Sequence, residues 1–77
     1  MSLELYATQS CQYCAELRYE LEDAGRNFVE FDVEADLGAR ARLLELTRGS
    51  ALVPVLVEDG RVVQIGMQGR GCYIGLA

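Results

Sequence analysis

Apolar and polar positions change period four times along this chain. Leu3 and Leu5 alternate with Glu4 and Tyr6, the two-residue period of a short strand. Thr8-Gln9-Ser10 is a polar break, and Ser10 stands where it could cap a following helix. From Cys11 to Ala24 the period lengthens. Cys14, Leu17, Leu21 and Ala24 recur at spacings of three and four, while Glu16, Arg18, Glu20, Glu22 and Asp23 fall largely outside that stripe. This predicts an amphipathic helix that stops at Gly25. Residues 27–33 return to a strand pattern, with Val29, Phe31 and Val33 on one face and Glu30 and Asp32 between them. Strand, helix and strand in this order imply a parallel pair joined by a right-handed crossover.

The second half predicts one more helix and a hairpin. Asp36 can cap a helix over about Leu37 to Thr47, with Leu37, Ala41 and Leu44 as its stripe and Leu43 and Leu46 widening it. Gly38 weakens the first turn, and Arg48-Gly49-Ser50 ends the helix. The β-rich runs Leu52–Val57 and Arg61–Ile65 flank Asp59-Gly60, a tight-hairpin signal. Pro54 lies near the start of its run, where a strand tolerates it. Residues 66–77 hold four of the eight glycines, so no regular helix is expected there. The order β-α-β-α-β-β predicts an α/β fold in which a parallel pair and an antiparallel hairpin form one four-stranded mixed sheet. Its 77 residues fit one domain, 1–77.

Composition removes several function classes. Net charge is −5, and the seven basic residues, all Arg, are scattered among acidic neighbours. Nucleic-acid and anionic-membrane partners are therefore not expected, since both need concentrated positive charge. No apolar run approaches the ~20 residues of a membrane span. Met1-Ser2-Leu3-Glu4 lacks the basic-then-apolar order of a leader, so the cytoplasm is the expected compartment. Histidine is absent, which excludes Cys-His and Ser-His catalysis and imidazole metal ligation. Three cysteines are one short of an all-Cys zinc site, and no metal site is expected. They are also too few for a disulfide scaffold, and a cytosolic chain is not expected to keep a disulfide.

What remains is Cys11-Gln12-Tyr13-Cys14, at the junction of a strand and a helix. A helix N-terminus presents unpaired N–H groups and partial positive charge, both of which favour thiolate. Cys11 is expected as the exposed attacking nucleophile and Cys14, one turn further in, as the resolving thiol. The bland alternative is a pair of small core residues or half a metal site. Val53-Pro54 has two readings as well. It is an edge proline, or a cis proline beside the dithiol whose preceding backbone, at Val53, receives a substrate chain by strand addition.

Together Tyr6-Ala7-Thr8-Gln9-Ser10-Cys11-Gln12-Tyr13-Cys14, Val53-Pro54, the Asp59-Gly60 hairpin and the glycine-bearing tail resemble the glutaredoxin branch of the thioredoxin-fold family. The resemblance runs through nearly the whole chain. It implies a thioredoxin-like four-stranded sheet and a cis peptide before Pro54, while the family's usual final helix is expected to be short or absent here. It also implies Cys11 as nucleophile, no bound cofactor, and glutathione as co-substrate. A monomer is expected, reducing protein disulfides or glutathione mixed disulfides with electrons from glutathione or a reductase. Two rival functions stay open: an iron–sulfur cluster or metal carrier, and a dedicated electron donor reduced by thioredoxin reductase.

The chain departs from the family pattern at Thr8, where Lys is frequent, at Leu52, where Thr is usual, and at Gly66-Met67, where Gly-Gly is usual. Arg70 can replace the missing Lys and meet a substrate carboxylate, or it is a solvated arginine. The N–H groups of Gly71 and Cys72 can hold the same carboxylate. Cys72 itself is expected as a small half-buried residue, with a regulatory third thiol as the weaker reading. Tyr13 is expected to pack over the site. The tail Gly69-Arg70-Gly71-Cys72 also resembles that of a small bacterial glutaredoxin-like group, some members of which carry selenocysteine at the position of Cys11.

Overall fold

Strand β1 (Leu3–Ala7) forms the spine of the molecule. The structure is a computed structural model and describes residues 2–74. β1 pairs in parallel with β2 (Val29–Asp32) on one side and antiparallel with β4 (Val55–Glu58) on the other. β5 (Arg61–Ile65) completes a mixed sheet of order β2-β1-β4-β5. This is the expected parallel pair plus hairpin, and the fold is thioredoxin-like. The two-residue period misleads at Tyr6, which is expected on the polar face yet is fully buried. A central strand is covered on both faces. Tyr6 stacks on Phe31 at 5.2 Å between ring centroids, and its hydroxyl donates to Glu4 and accepts from Arg42.

Helix α1 (Gln12–Asp23) follows β1 and buries Cys14, Leu17 and Leu21, three of the four residues expected on its stripe. Full burial of a leucine contributes about 1.5–3 kcal/mol. Ala24, the fourth, is exposed and forms the C-cap. Beyond it the Gly25 N–H donates to the Glu22 carbonyl and the Arg26 N–H to the Leu21 carbonyl, with Gly25 at φ 71°. That left-handed stop is the role glycine fills best. Arg18 on α1 clasps Glu30 on β2 through two hydrogen bonds, at 2.7 and 2.5 Å. β2 is shorter than expected: Val33 is buried just past its end, while Val29, assigned to the same inner face, is exposed at the sheet edge.

Helix α2 (Leu37–Leu46) starts as expected, with the Asp36 carboxylate accepting from the Ala39 N–H at 3.0 Å. Its inner face runs along the margin of the expected one, through the widening residues Leu43 and Leu46. Ala39 and Leu43 are buried and Leu46 packs partly against them, whereas Leu37 is 71% exposed and Ala41 is exposed. Of the expected stripe, Leu37 and Ala41 therefore face solvent and Leu44 is half-buried.

The run 52–57, expected as one strand, is broken at Pro54. β3 (Leu52–Val53) leaves the main sheet, and a cis peptide joins Val53 to Pro54 before β4 begins. The hairpin turn has Asp59 at φ 51° and Gly60 at φ 82°, two left-handed residues as a twisted two-residue turn requires. A bulge at Val63 shifts register between Leu56 and Val57. No helix follows β5 among the described residues. Met67-Gln68-Gly69-Arg70 makes a second tight turn, and β6 (Cys72–Tyr73) then pairs antiparallel with β3. Residues 75–77 of the expected irregular tail lie outside the described residues. Among those described, no helix is long and apolar enough to cross a membrane.

Candidate active site

Cys11, expected to be exposed, is buried, and it is itself the N-cap of α1. Its backbone is extended (φ −91°, ψ 119°), and its carbonyl accepts the first helical bond from Ala15 at 3.2 Å. The expected cap, Ser10, is one residue too early and is exposed. No side chain accepts a hydrogen bond from the first-turn N–H groups of α1. Those free donors and the positive end of the helix dipole stabilise negative charge at Cys11 when its thiol is reduced.

In the structure Cys11 is bonded to Cys72, 61 residues away in sequence and 6.0 Å away between Cα atoms. This corrects the expectation that the chain holds no disulfide. It also differs from the pairing that the Cys-x-x-Cys spacing suggests, because Cys14 keeps a free thiol. Cys14 lies beneath Cys11 and is fully buried. Burial pushes its thiol pKa above the ordinary range, and hydrogen bonds from the backbone and hydroxyl of buried Thr8 only partly offset this. The position expected to hold a lysine for substrate thus turns inward and serves the second cysteine.

The β3–β6 ladder carries the other residues of the site. Its register pairs Leu52 with Tyr73 and Val53 with Cys72. The Ile74 N–H donates to the Ala51 carbonyl at 3.0 Å. Antiparallel ladders alternate, so Val53 and Cys72 fall at the next hydrogen-bonded pair, with their backbone groups facing each other. The Val53 backbone, expected to receive a substrate chain, is therefore covered by the protein's own β6. The Cys72 backbone faces β3 instead of an open carboxylate-binding loop.

Gly71 makes this approach possible. A Cβ at that position would collide with the Val53 carbonyl oxygen and would lie 3.0–3.1 Å from the Leu52 side chain. Gly66 does the same one turn earlier, at φ 80°, where a Cβ would lie 2.7 Å from the Arg70 carbonyl oxygen. Tyr13 is half-buried in the first turn of α1 and packs against the core. Arg70 is exposed at the end of the second turn, its N–H bonded to the Met67 carbonyl at 3.0 Å. The structure thus brings Cys11, Val53, Pro54, Gly71 and Cys72 together, with Cys14 below them and Arg70 at the rim. Among the described residues no group of three or more His, Cys, Asp or Glu side chains is placed to hold a metal ion.

A sequence profile of the Glutaredoxin family matches residues 3–63. The chain belongs to the glutaredoxin family. Two solved structures similar to it carry the same fold. The T8A mutant of the thioredoxin-like protein BC3987 is 37% identical, with 87% of this chain and 83% of that one covered and a TM-score of 0.78. The thioredoxin-like protein BC3987 itself is 35% identical over 80% of this chain and 84% of that one, with a TM-score of 0.74. No curated protein matches. The glutaredoxin profile ends before Gly66, so the tail with Gly71 and Cys72 lies beyond the matched segment. That tail holds what the Cys-x-x-Cys motif does not announce, the sulfur bonded to Cys11. The available signals were a third cysteine and a preceding glycine, neither specific alone.

Proposed function

We propose that this glutaredoxin-family chain is a thiol–disulfide oxidoreductase in which Cys11 is the nucleophile. The observation that carries the reading is Cys11 at the uncapped N-terminus of α1, already in a disulfide and next to the cis Val53-Pro54 peptide. The Cys11 thiolate attacks one sulfur of a substrate disulfide. A bond forms between Cys11 and that sulfur, the substrate S–S bond breaks, and the second substrate sulfur leaves as thiolate and takes a proton from water. A second thiol then attacks Cys11 and frees the remaining substrate half. Two electrons have passed to the substrate, and glutathione or a reductase returns them. Protein disulfides and glutathione mixed disulfides in the cytoplasm are the substrates of this reading, and Arg70 is offered as a cation for a substrate carboxylate.

The test is turnover of a glutathione mixed disulfide by the wild-type chain and by Cys11→Ser. Loss of at least a hundredfold in rate is expected of Cys11→Ser. Retention of wild-type rate by that variant would refute the assignment.

A further inference from the structure

We propose that Cys72 is the thiol that resolves the mixed disulfide on Cys11, and that it does so by docking β6 on β3 where a substrate chain would lie. The proposal rests on Cys11 being the nucleophile. Three observations support it independently of the Cys-x-x-Cys spacing.

First, Cys72 and not Cys14 is the sulfur bonded to Cys11, and a Cα separation of 6.0 Å is within the range a disulfide takes without moving the backbone. Second, the two candidate resolvers have opposite surroundings. Cys14 is sealed in the core and burial holds its proton on, so its thiolate is scarce. Cys72 is half-buried on a two-residue strand at the surface, with exposed Arg70 and Tyr73 on either side of the Gly71-Cys72 pair. Attack needs a thiolate, and of the two thiols Cys14 is the one that burial keeps protonated.

Third, β6 is held in register at both ends. The Met67–Arg70 turn closes through two backbone bonds, at 2.6 and 3.0 Å, before Cys72, and buried Ile74 donates to Ala51 after it. Gly71 lets the strand approach Val53 more closely than any side chain would permit. The result is an internal likeness of a substrate complex: an extended segment on the backbone of Val53 whose cysteine is disulfide-bonded to Cys11. When a substrate half occupies that edge, β6 is displaced. When β6 returns, Cys72 loses its proton to solvent and attacks the Cys11 sulfur. The Cys11–Cys72 bond forms, the bond from Cys11 to the substrate breaks, and the substrate half leaves as thiolate. Strand docking and sulfur exchange expel the product together.

The test uses fully reduced protein and one equivalent of glutathione disulfide, with alkylation at timed intervals and peptide mapping. Wild type is expected to release two glutathiones per chain and to yield a Cys11–Cys72 cross-link, and so is Cys14→Ser. Cys72→Ser is expected to stop after one, with the other glutathione on Cys11, or to release the second at least tenfold more slowly. The proposal is overturned if the wild-type map shows Cys11–Cys14, a result that needs no variant to fold. It is also overturned if Cys72→Ser completes the second release at wild-type rate. Failure of the nucleophile assignment looks different: the first glutathione would be released equally by Cys11→Ser.

Discussion

Val53 and Cys72 face each other on the short β3–β6 ladder, and each is tied to a second residue of the site. Val53 runs through a cis peptide into Pro54, and Cys72 runs through sulfur into Cys11. The occupancy of one sheet edge is thereby coupled to the redox state of one cysteine. A ligand that pairs with Val53 must remove β6, and removing β6 carries the Cys72 sulfur away from Cys11.

Gly71→Ala tests this coupling without touching sulfur. The added Cβ would clash with the Val53 carbonyl, and overpacking of this kind costs on the order of 1–3 kcal/mol. Gly69→Ala is the comparison, because nothing lies within 4 Å of its Cβ and only the left-handed φ of 78° is strained. Both variants are expected to lose some stability in urea. Only Gly71→Ala is expected to lower the yield of the Cys11–Cys72 cross-link at a fixed ratio of oxidised to reduced glutathione. Equal yields from the two would show that β6 docking does not govern sulfur pairing.

Reduction should loosen the fold. Joining residues 61 apart removes loop-closure entropy from the unfolded chain, up to about 4 kcal/mol in the chain-entropy account. The oxidised protein is expected to melt well above the reduced one, by ten degrees or more. Cys72→Ser should abolish the difference between the two redox forms. Scanning calorimetry with and without a phosphine reductant checks both statements, and coincident melts for the wild type would rule the idea out.

Cys14 and Tyr6 make stability fall at alkaline pH. Burial raises both acids above their ordinary values, so the folded state holds protons that the unfolded state releases. Their contribution is complete below the unfolded pKa, about 8.5 for Cys and 10 for Tyr. It is lost as pH rises from there towards each folded value. The slope reaches about 1.4 kcal/mol per pH unit per group. Urea midpoints of the oxidised protein from pH 7 to 10.5 should show decline starting near the cysteine value. In Cys14→Ala the decline should start later, near the tyrosine value. Superimposable profiles would mean that Cys14 is not held as a neutral thiol.

What could be read from the sequence was set by how local each signal is. α1 was legible because its stripe, its glycine stop and its strong period lie within fourteen consecutive residues. The hairpin was legible from Asp59-Gly60 alone. Tyr6 was misassigned because burial of a central strand on both faces depends on elements that follow it. The cis peptide before Pro54 was legible through the family resemblance; what the β-rich run hid is that this peptide splits it into β3 and β4. β6 is two residues long, too short for any period to register, and it exists because Ile74 anchors it and Gly71 admits it. The chemistry divides the same way: Cys11 was visible from its position at a helix start, while the partnership with Cys72 depends on tertiary structure spanning 61 residues.

Helix α2 offers the sharpest quantitative check on that boundary. The sequence puts Leu37 on the central stripe and Leu43 at its margin; the structure buries Leu43, with Ala39 one turn before it, and leaves Leu37 exposed. Leu43→Ala removes a fully buried side chain from the cluster that includes Val33 and is expected to cost about 2–5 kcal/mol. Leu37→Ala trims a side chain that is 71% exposed and is expected to stay within about 0.5 kcal/mol of wild type. Urea unfolding of the oxidised forms measures both under one condition. If the order were reversed, the helix would be rotated about its axis and the packing of α2 on the sheet would have to be redrawn. A large loss from both would instead place Leu37 against a partner surface, and its size would then depend on protein concentration.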